Sequence, residues 1–153
     1  MKMFSRYLLT LAAMTLSLAV TIAARQATAP PDAAAAQAAF EQYEQMRTAL
    51  SADSLKGVAA SATALAPFAA QLGGAAAEGA AKKIAGAKTL KAAREDFGSL
   101  SELLVPKFLA ARLPGVEGFM CPMIKKQWAQ KGEKTQNPYF GKSMPTCGTA
   151  IAK

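Results

Sequence analysis

Three runs of apolar residues, stepping alternately by three and four, constrain this chain more than any other feature of it. The first holds Phe40, Tyr43, Met46 with Arg47, and Leu50. The second holds Leu55, Val58, Ala62, Leu65, Ala69 and Leu72, and the third Leu90, Ala93, Phe97, Leu100, Leu104 and Phe108. Such steps gather side chains into one stripe of an α-helix, whereas a half-buried strand needs alternation by two. Composition agrees, since residues 36–108 are rich in Ala, Leu, Glu, Lys and Gln and poor in β-branched types. Ser51-Ala52-Asp53 reads as a break, with Asp53 capping the next helix. Pro67 should kink or end the second run. Gly73-Gly74 reads as a stop, a weaker Ala-dominated segment over 75–85 ends at Gly86, and Pro106 and Pro114 close the helical part. Alanine-rich stripes let helices approach closely. The fold predicted is therefore all-α: a three- or four-helix up-and-down bundle over residues 36–114.

Ahead of the bundle stands a stretch with the organisation of a secretory signal. Lys2 and Arg6 give a positive start, Tyr7 to Val20 an apolar run, and Thr21, Ala23 and Ala24 the small residues that signal peptidase prefers. Cleavage after Ala23 or Ala24 gives a signal peptide of residues 1–24 and a protein exported to the periplasm of a bacterium. A retained membrane anchor is the competing reading. It is disfavoured because small residues, and no basic stop-transfer cluster, follow the run. No membrane span is then expected after cleavage. Residues 25–35, rich in Ala and Pro, read as a flexible lead-in.

The chain carries 18 basic and 10 acidic residues, a net +8, and loses two of its positive charges with Lys2 and Arg6. A basic balance can signal nucleic acid or an anionic surface. Export argues against nucleic acid, and the lysines are scattered rather than striped, so the charge is read as a solubility feature. The chain contains no histidine. That removes the usual haem ligand and the usual general base, and no paired-carboxylate signature replaces it. No catalytic site and no enzyme activity are expected.

From Gly115 onward helical periodicity stops, and residues 115–153 read as an irregular Cys/Met-containing segment packed on the bundle. Within it, Lys125 to Lys131 predicts a short helix carrying Trp128, the only tryptophan. Both cysteines of the chain fall here, in Phe119-Met120-Cys121-Pro122-Met123 and in Ser143-Met144-Pro145-Thr146-Cys147-Gly148. Two thiols and three thioethers make a soft donor set, which favours Cu(I) over zinc, a metal that usually brings His or more Cys. Carboxylates are few nearby (Glu117 and Glu133), which disfavours a hard cation. Pro122 and Pro145 push Cys121 and Met144 toward extended backbone. Cys121 and Met123, two apart, can then share a face. Met144 and Cys147, three apart across a proline, can meet in a turn. Asn137-Pro138 starts a turn, and Tyr139 and Phe140 read as aromatics that dock on the bundle. The competing account of the cysteines is a disulfide, the ordinary fate of an even count in an exported chain.

Taken in order, Cys121-Pro122-Met123, Trp128, Asn137-Pro138-Tyr139-Phe140-Gly141, Met144 and Cys147-Gly148 resemble the bacterial domain of unknown function numbered three-three-four-seven. Ala93-Arg94-Glu95-Asp96-Phe97 with Leu100-Ser101 is similar to that family's last bundle helix, and Tyr43 to Leu50 to its first. Members occur alone on exported proteins and joined to periplasmic adaptors of heavy-metal efflux pumps of the CusB kind. The resemblance implies a soft metal at Cys121, Met123, Met144 and Cys147, and an efflux adaptor or other envelope protein as partner. Met120 joins the candidate set on its chemistry alone. This chain departs from the family in a shorter interval between Met123 and Trp128 and in lacking a histidine that relatives carry in the bundle.

Two functions of different kinds are thus expected from the sequence. One is a periplasmic Cu(I)-binding protein serving metal export or tolerance. The other is a helical binding module of the cell envelope, without metal, whose cysteines form a structural disulfide. Both rest on export. Intact-mass analysis of the protein recovered from a bacterial periplasm should give a chain starting at Ala24 or Arg25, and recovery of the full chain in the membrane fraction would reinstate the anchor.

Overall fold

Proline is at home in the first turn of a helix, where its missing N–H would have had no partner, and the first helix, α1 (Pro31–Ser51), begins on Pro31. It is followed by α2 (Val58–Gly86) and α3 (Leu90–Ala110). The computed structural model describes residues 31–151. The expected signal peptide, 1–24, and positions 25–30 of the expected lead-in lie outside them, while positions 31–35 already belong to α1.

The three apolar stripes form the core. Phe40, Tyr43, Met46 and Leu50 of α1 are buried with Val58, Ala62, Leu65 and Ala69 of α2 and Ala93, Phe97, Leu100, Leu104 and Phe108 of α3. Leu55, Leu72 and Leu90 pack at its margin. By length and composition α2 could cross a membrane, yet here its apolar stripe packs into this core. The glycine break expected at Gly73-Gly74 is a single non-helical residue inside α2. Gly74 adopts φ 68° and ψ −165°, a conformation essentially reserved for glycine, and the helix resumes beyond it. Pro67 and Pro106 do not end their helices. Both sit on solvent-exposed faces, where water can take the carbonyl that proline leaves without its helical bond. Asp53 caps nothing. The residue preceding α2 is Gly57, which offers no side-chain cap, and Asp53 lies in the connecting turn at φ 57°.

The all-α expectation is overturned beyond α3. Val116–Cys121 (β1) and Lys126–Lys131 (β2) form an antiparallel hairpin, and Thr149–Ala150 (β3) pairs with the other edge of β1, giving a sheet of order β2-β1-β3. The protein is mixed: three helices plus a small antiparallel sheet. The stretch expected to be a short helix around Trp128 is strand β2. Its Lys, Gln and Ala residues favour helix by propensity, but cross-strand pairing and packing outweigh a few tenths of a kcal/mol per residue. Trp128 stands directly opposite Phe119, their rings stacked at 5.4 Å. The four residues Pro122 to Lys125 turn the hairpin, with Lys125 at φ 52°.

Aromatic rings run from the bundle into the sheet. Tyr43 packs on Phe97 and Phe108, with centroids 4.7 and 5.2 Å away; Tyr139 lies 6.1 Å from Phe97 and 6.0 Å from Trp128. The Tyr43 hydroxyl pairs with Ser101 Oγ at 2.6 Å, and Ala129 N–H of β2 donates to it. Burial pushes the Tyr43 phenol well above its ordinary value. Residues 132–148 then wrap over the outer face of the sheet, and Arg94 clasps them to the helices. Its guanidinium donates to the carbonyls of Pro138 and Leu50, both at 2.8 Å, and to Asp53 at 2.5 Å. Asp53 in turn accepts from Lys142 N–H.

Removing this clasp should be costly, because the charged donor serves two backbone carbonyls. Arg94→Met is expected to lower unfolding free energy by about 2 kcal/mol in urea titrations. Arg94 and the Lys142 amide hold the Asp53 carboxyl below the usual carboxylate range. A depressed folded value means that its contribution is present above the unfolded value and disappears as pH falls through the folded one. The acid limb of the stability–pH curve, below about pH 4, should therefore flatten in Asp53→Asn. An unchanged acid limb would remove this pair from the account.

Candidate metal centre

Strand β1 ends at Cys121, whose side chain is fully buried. Alternation along the strand puts Phe119 and Cys121 on the face that residues 132–148 cover, and Gly118 and Met120 on the opposite face. Gly118 lies against Leu109 of α3 and Ile151, with no room for a Cβ. Cys147 arrives from the far end of the wrapping segment. A turn in which Cys147 N–H donates to Met144 C=O at 3.3 Å delivers it. Just beyond, Gly148 is pressed so close to the Trp128 ring that a Cβ would strike it.

The structure thus brings together two cysteines 26 positions apart in sequence. Both are thiols, and they are neighbours in the fold, since one amide group, Asn137 Nδ2, reaches both Cys121 Sγ and Cys147 C=O. Burial first, then the neighbouring Cys121, pushes the Cys147 thiol above its ordinary value. Cys147 is half-buried and Cys121 lies behind it, so the pair opens to solvent on the Cys147 side.

Asn137 holds the pair, and sequence reasoning missed it. Wholly buried, it donates from Nδ2 to Cys121 Sγ at 3.4 Å and to Cys147 C=O at 2.6 Å. Its Oδ1 accepts from the N–H groups of Tyr139 and Phe140, and its own N–H donates to Pro145 C=O. One amide therefore fixes both cysteines and the turn between them. The signal was present as Asn137-Pro138, read only as the start of a turn. A buried asparagine with every polar atom engaged is a framework element.

The methionines are placed differently. Met120 points to the other face of the sheet from Cys121, away from the thiol pair. Met123 rides the hairpin turn, 61% exposed, and Met144 is 39% exposed in the turn that carries Cys147. Neither thioether is buried with the thiols, so the five candidate ligands do not converge on one closed cage. Among the described residues no group of three or more His, Cys, Asp or Glu is placed to hold a metal. What the fold does assemble is the cysteine pair, with the thioethers of Met123 and Met144 exposed to solvent. A metal–thiolate bond is about 2.3 Å, so a shared ion needs the two sulfurs to be near neighbours, and the single Asn137 amide that contacts Cys121 Sγ and the Cys147 carbonyl keeps the two residues together. The donor set suits a soft cation and nothing harder.

Compared with known proteins, the chain matches no family model, no curated protein and no solved structure. The resemblance to the efflux-linked domain accordingly rests on the residues quoted above.

Asn137→Ala should disturb the pair without touching either sulfur. It leaves the buried N–H groups of Tyr139 and Phe140 unpaired, at a cost of about 2–3 kcal/mol, and frees Cys147 from Cys121. Thermal melts should show the loss, and alkylation of Cys147 in the folded protein should become faster. Wild-type alkylation rates in the variant would show that the amide does not position the thiols.

Proposed function

We propose that this chain is an exported bacterial protein that binds one Cu(I) between Cys121 and Cys147, in the service of metal export or tolerance. The observation that carries the reading is the meeting of the two cysteines across 26 positions of sequence, both held by Asn137, with Cys147 only half-buried. Two thiolates bind a soft monovalent cation tightly, and Met144, three residues before Cys147 in the same turn, is the thioether best placed to join them. Met123, in the exposed hairpin turn two residues beyond Cys121, is the less favoured of the two. The resemblance to domains joined to heavy-metal efflux adaptors points the same way and makes such an adaptor the natural recipient.

Proton competition gives the reading a definite signature. The Cys147 thiol is held above its ordinary value, so at neutral pH its proton must leave when metal binds. Apparent affinity should therefore fall by about tenfold per pH unit from this thiol alone as the solution is acidified. The measurement is competition of the reduced protein with a Cu(I)-specific chelator, with Zn(II) as control. Cys121→Ser or Cys147→Ser should abolish competition, whereas Met144→Ala or Met123→Ala should weaken it several-fold. Equal, weak competition by wild type and by the double cysteine variant would refute the site.

One observation favours the second reading, a structural disulfide in a metal-free envelope module: Cys121 is fully buried and ties the wrapping segment to β1. Closing a loop of this length adds roughly 3–4 kcal/mol in the chain-entropy model. Wild type that binds no copper when reduced, and that melts well above the double cysteine variant when oxidised, would establish it instead.

A further inference from the structure

A second feature, independent of the thiols, lies where α3 meets the hairpin. Ile124 of the β1–β2 turn, 42% exposed, lines a groove of about 550 Å³ together with Tyr139 and Phe140. Only three large hydrophobic side chains stand out into solvent among the described residues, and Ile124 and Met123 are neighbours in this one turn. Three cations line the groove, Lys91, Arg94 and Lys126, against one carboxylate, Glu95.

The cations differ in how firmly they are held. Arg94 is committed to Asp53 and two backbone carbonyls. Lys91 reaches Glu95 only at 3.8 Å, with both side chains at least two-thirds exposed, and Lys126 reaches Glu102 only at 4.0 Å. Long, exposed pairs of this kind contribute little, and their lysines can swing to a better partner. The Lys126 stem lies across Gly98, where its methylenes pack, and its weak tie to Glu102 leaves the ammonium free to swing toward the groove that Lys126 lines. An apolar lining of Ile124, Tyr139 and Phe140 beside two loosely held lysines matches one kind of occupant.

We propose that this groove docks a short acidic peptide segment of a partner protein, seating one apolar side chain on Phe140 and Ile124 while flanking carboxylates meet Lys91 and Lys126. A shallow, open site lined by both cations and apolar side chains suits an extended chain with a single anchor, and exposed charges of this sort chiefly speed encounter and set orientation. A flat basic surface for lipid would not need the pocket.

The test is an amide-resolved NMR titration of the reduced, metal-free protein with a blocked peptide, Glu-Asp-Leu-Phe-Glu-Asp. Shifts are expected to cluster at Lys91, Ile124, Lys126 and Phe140, with affinity falling about tenfold between about 0.05 M and 0.5 M salt. Lys91→Glu/Lys126→Glu should weaken binding at least about tenfold, equal to about 1.4 kcal/mol, and Ile124→Ser by a similar factor. Both substitutions are at exposed or half-exposed positions, and unchanged melting temperatures would confirm that the fold is intact. A peptide with lysines in place of its acids should not bind. Three results would overturn the proposal: no shifts at millimolar peptide, equal binding by the lysine peptide, or binding to phosphatidylglycerol vesicles in place of the peptide.

Discussion

The hydroxyl of Tyr43 is the point on which helices and sheet depend together. A buried phenol must find hydrogen-bond partners or forfeit several kcal/mol, and this one finds them on two other elements, Ser101 of α3 and the Ala129 amide of β2. Its ring meanwhile fills the space between Phe97 and Phe108. One side chain therefore sets the distance between α1 and α3 and the height at which β2 crosses them. The same hydroxyl places β1, because β1 is paired to β2 along its whole length, and so it places Cys121.

A different physics holds the segment from Gly132 to Gly148. Lacking an apolar stripe, it is secured through its backbone by buried or half-buried polar side chains that reach out from regular elements. Arg47 donates to Gln136 C=O from α1, Arg94 to Pro138 C=O from α3, and Gln130 to the carbonyls of Gly132 and Lys134 from β2. Asn137 does the same from within. Among the described residues no buried side-chain polar atom is left without a partner. An irregular stretch ordered in this way needs neither a metal nor a disulfide to hold its course. Order of this kind does not by itself require the cysteines, so the metal reading and the disulfide reading can be separated by experiment.

The candidate sulfur donors show how far local pattern can be trusted. Cys121 and Met123 share an extended-chain spacing, but the hairpin turns at Pro122 and sends Met123 into solvent. Met144 and Cys147 do share a turn, as their spacing across Pro145 suggested. Met120 and Cys121, adjacent in sequence, are placed on opposite faces by the pleat of β1. Adjacency in a donor-rich sequence is weak information about a site; the pairing partner of the strand decides which donors meet.

The helical part of this protein was written in its sequence, because a three-four stripe of Phe, Leu, Val and Ala has one favourable burial and forms it from local contacts. Even there the glycine at 74 was legible only as a break, and its survival as a kink inside α2 came from packing on both sides of it. The sheet was not legible. Lys126 to Lys131 has the composition of a helix, and what makes it a strand is Phe119 across the ladder, the Tyr43 hydroxyl beneath it and Tyr139 packed on Trp128, all far away in sequence. The chemistry of the cysteines, soft donors without histidine, was fixed by residue type alone. That Cys121 and Cys147 meet, that Asn137 holds them and that Met120 is turned away were decided by tertiary structure, since each depends on contacts between segments that no local spacing encodes.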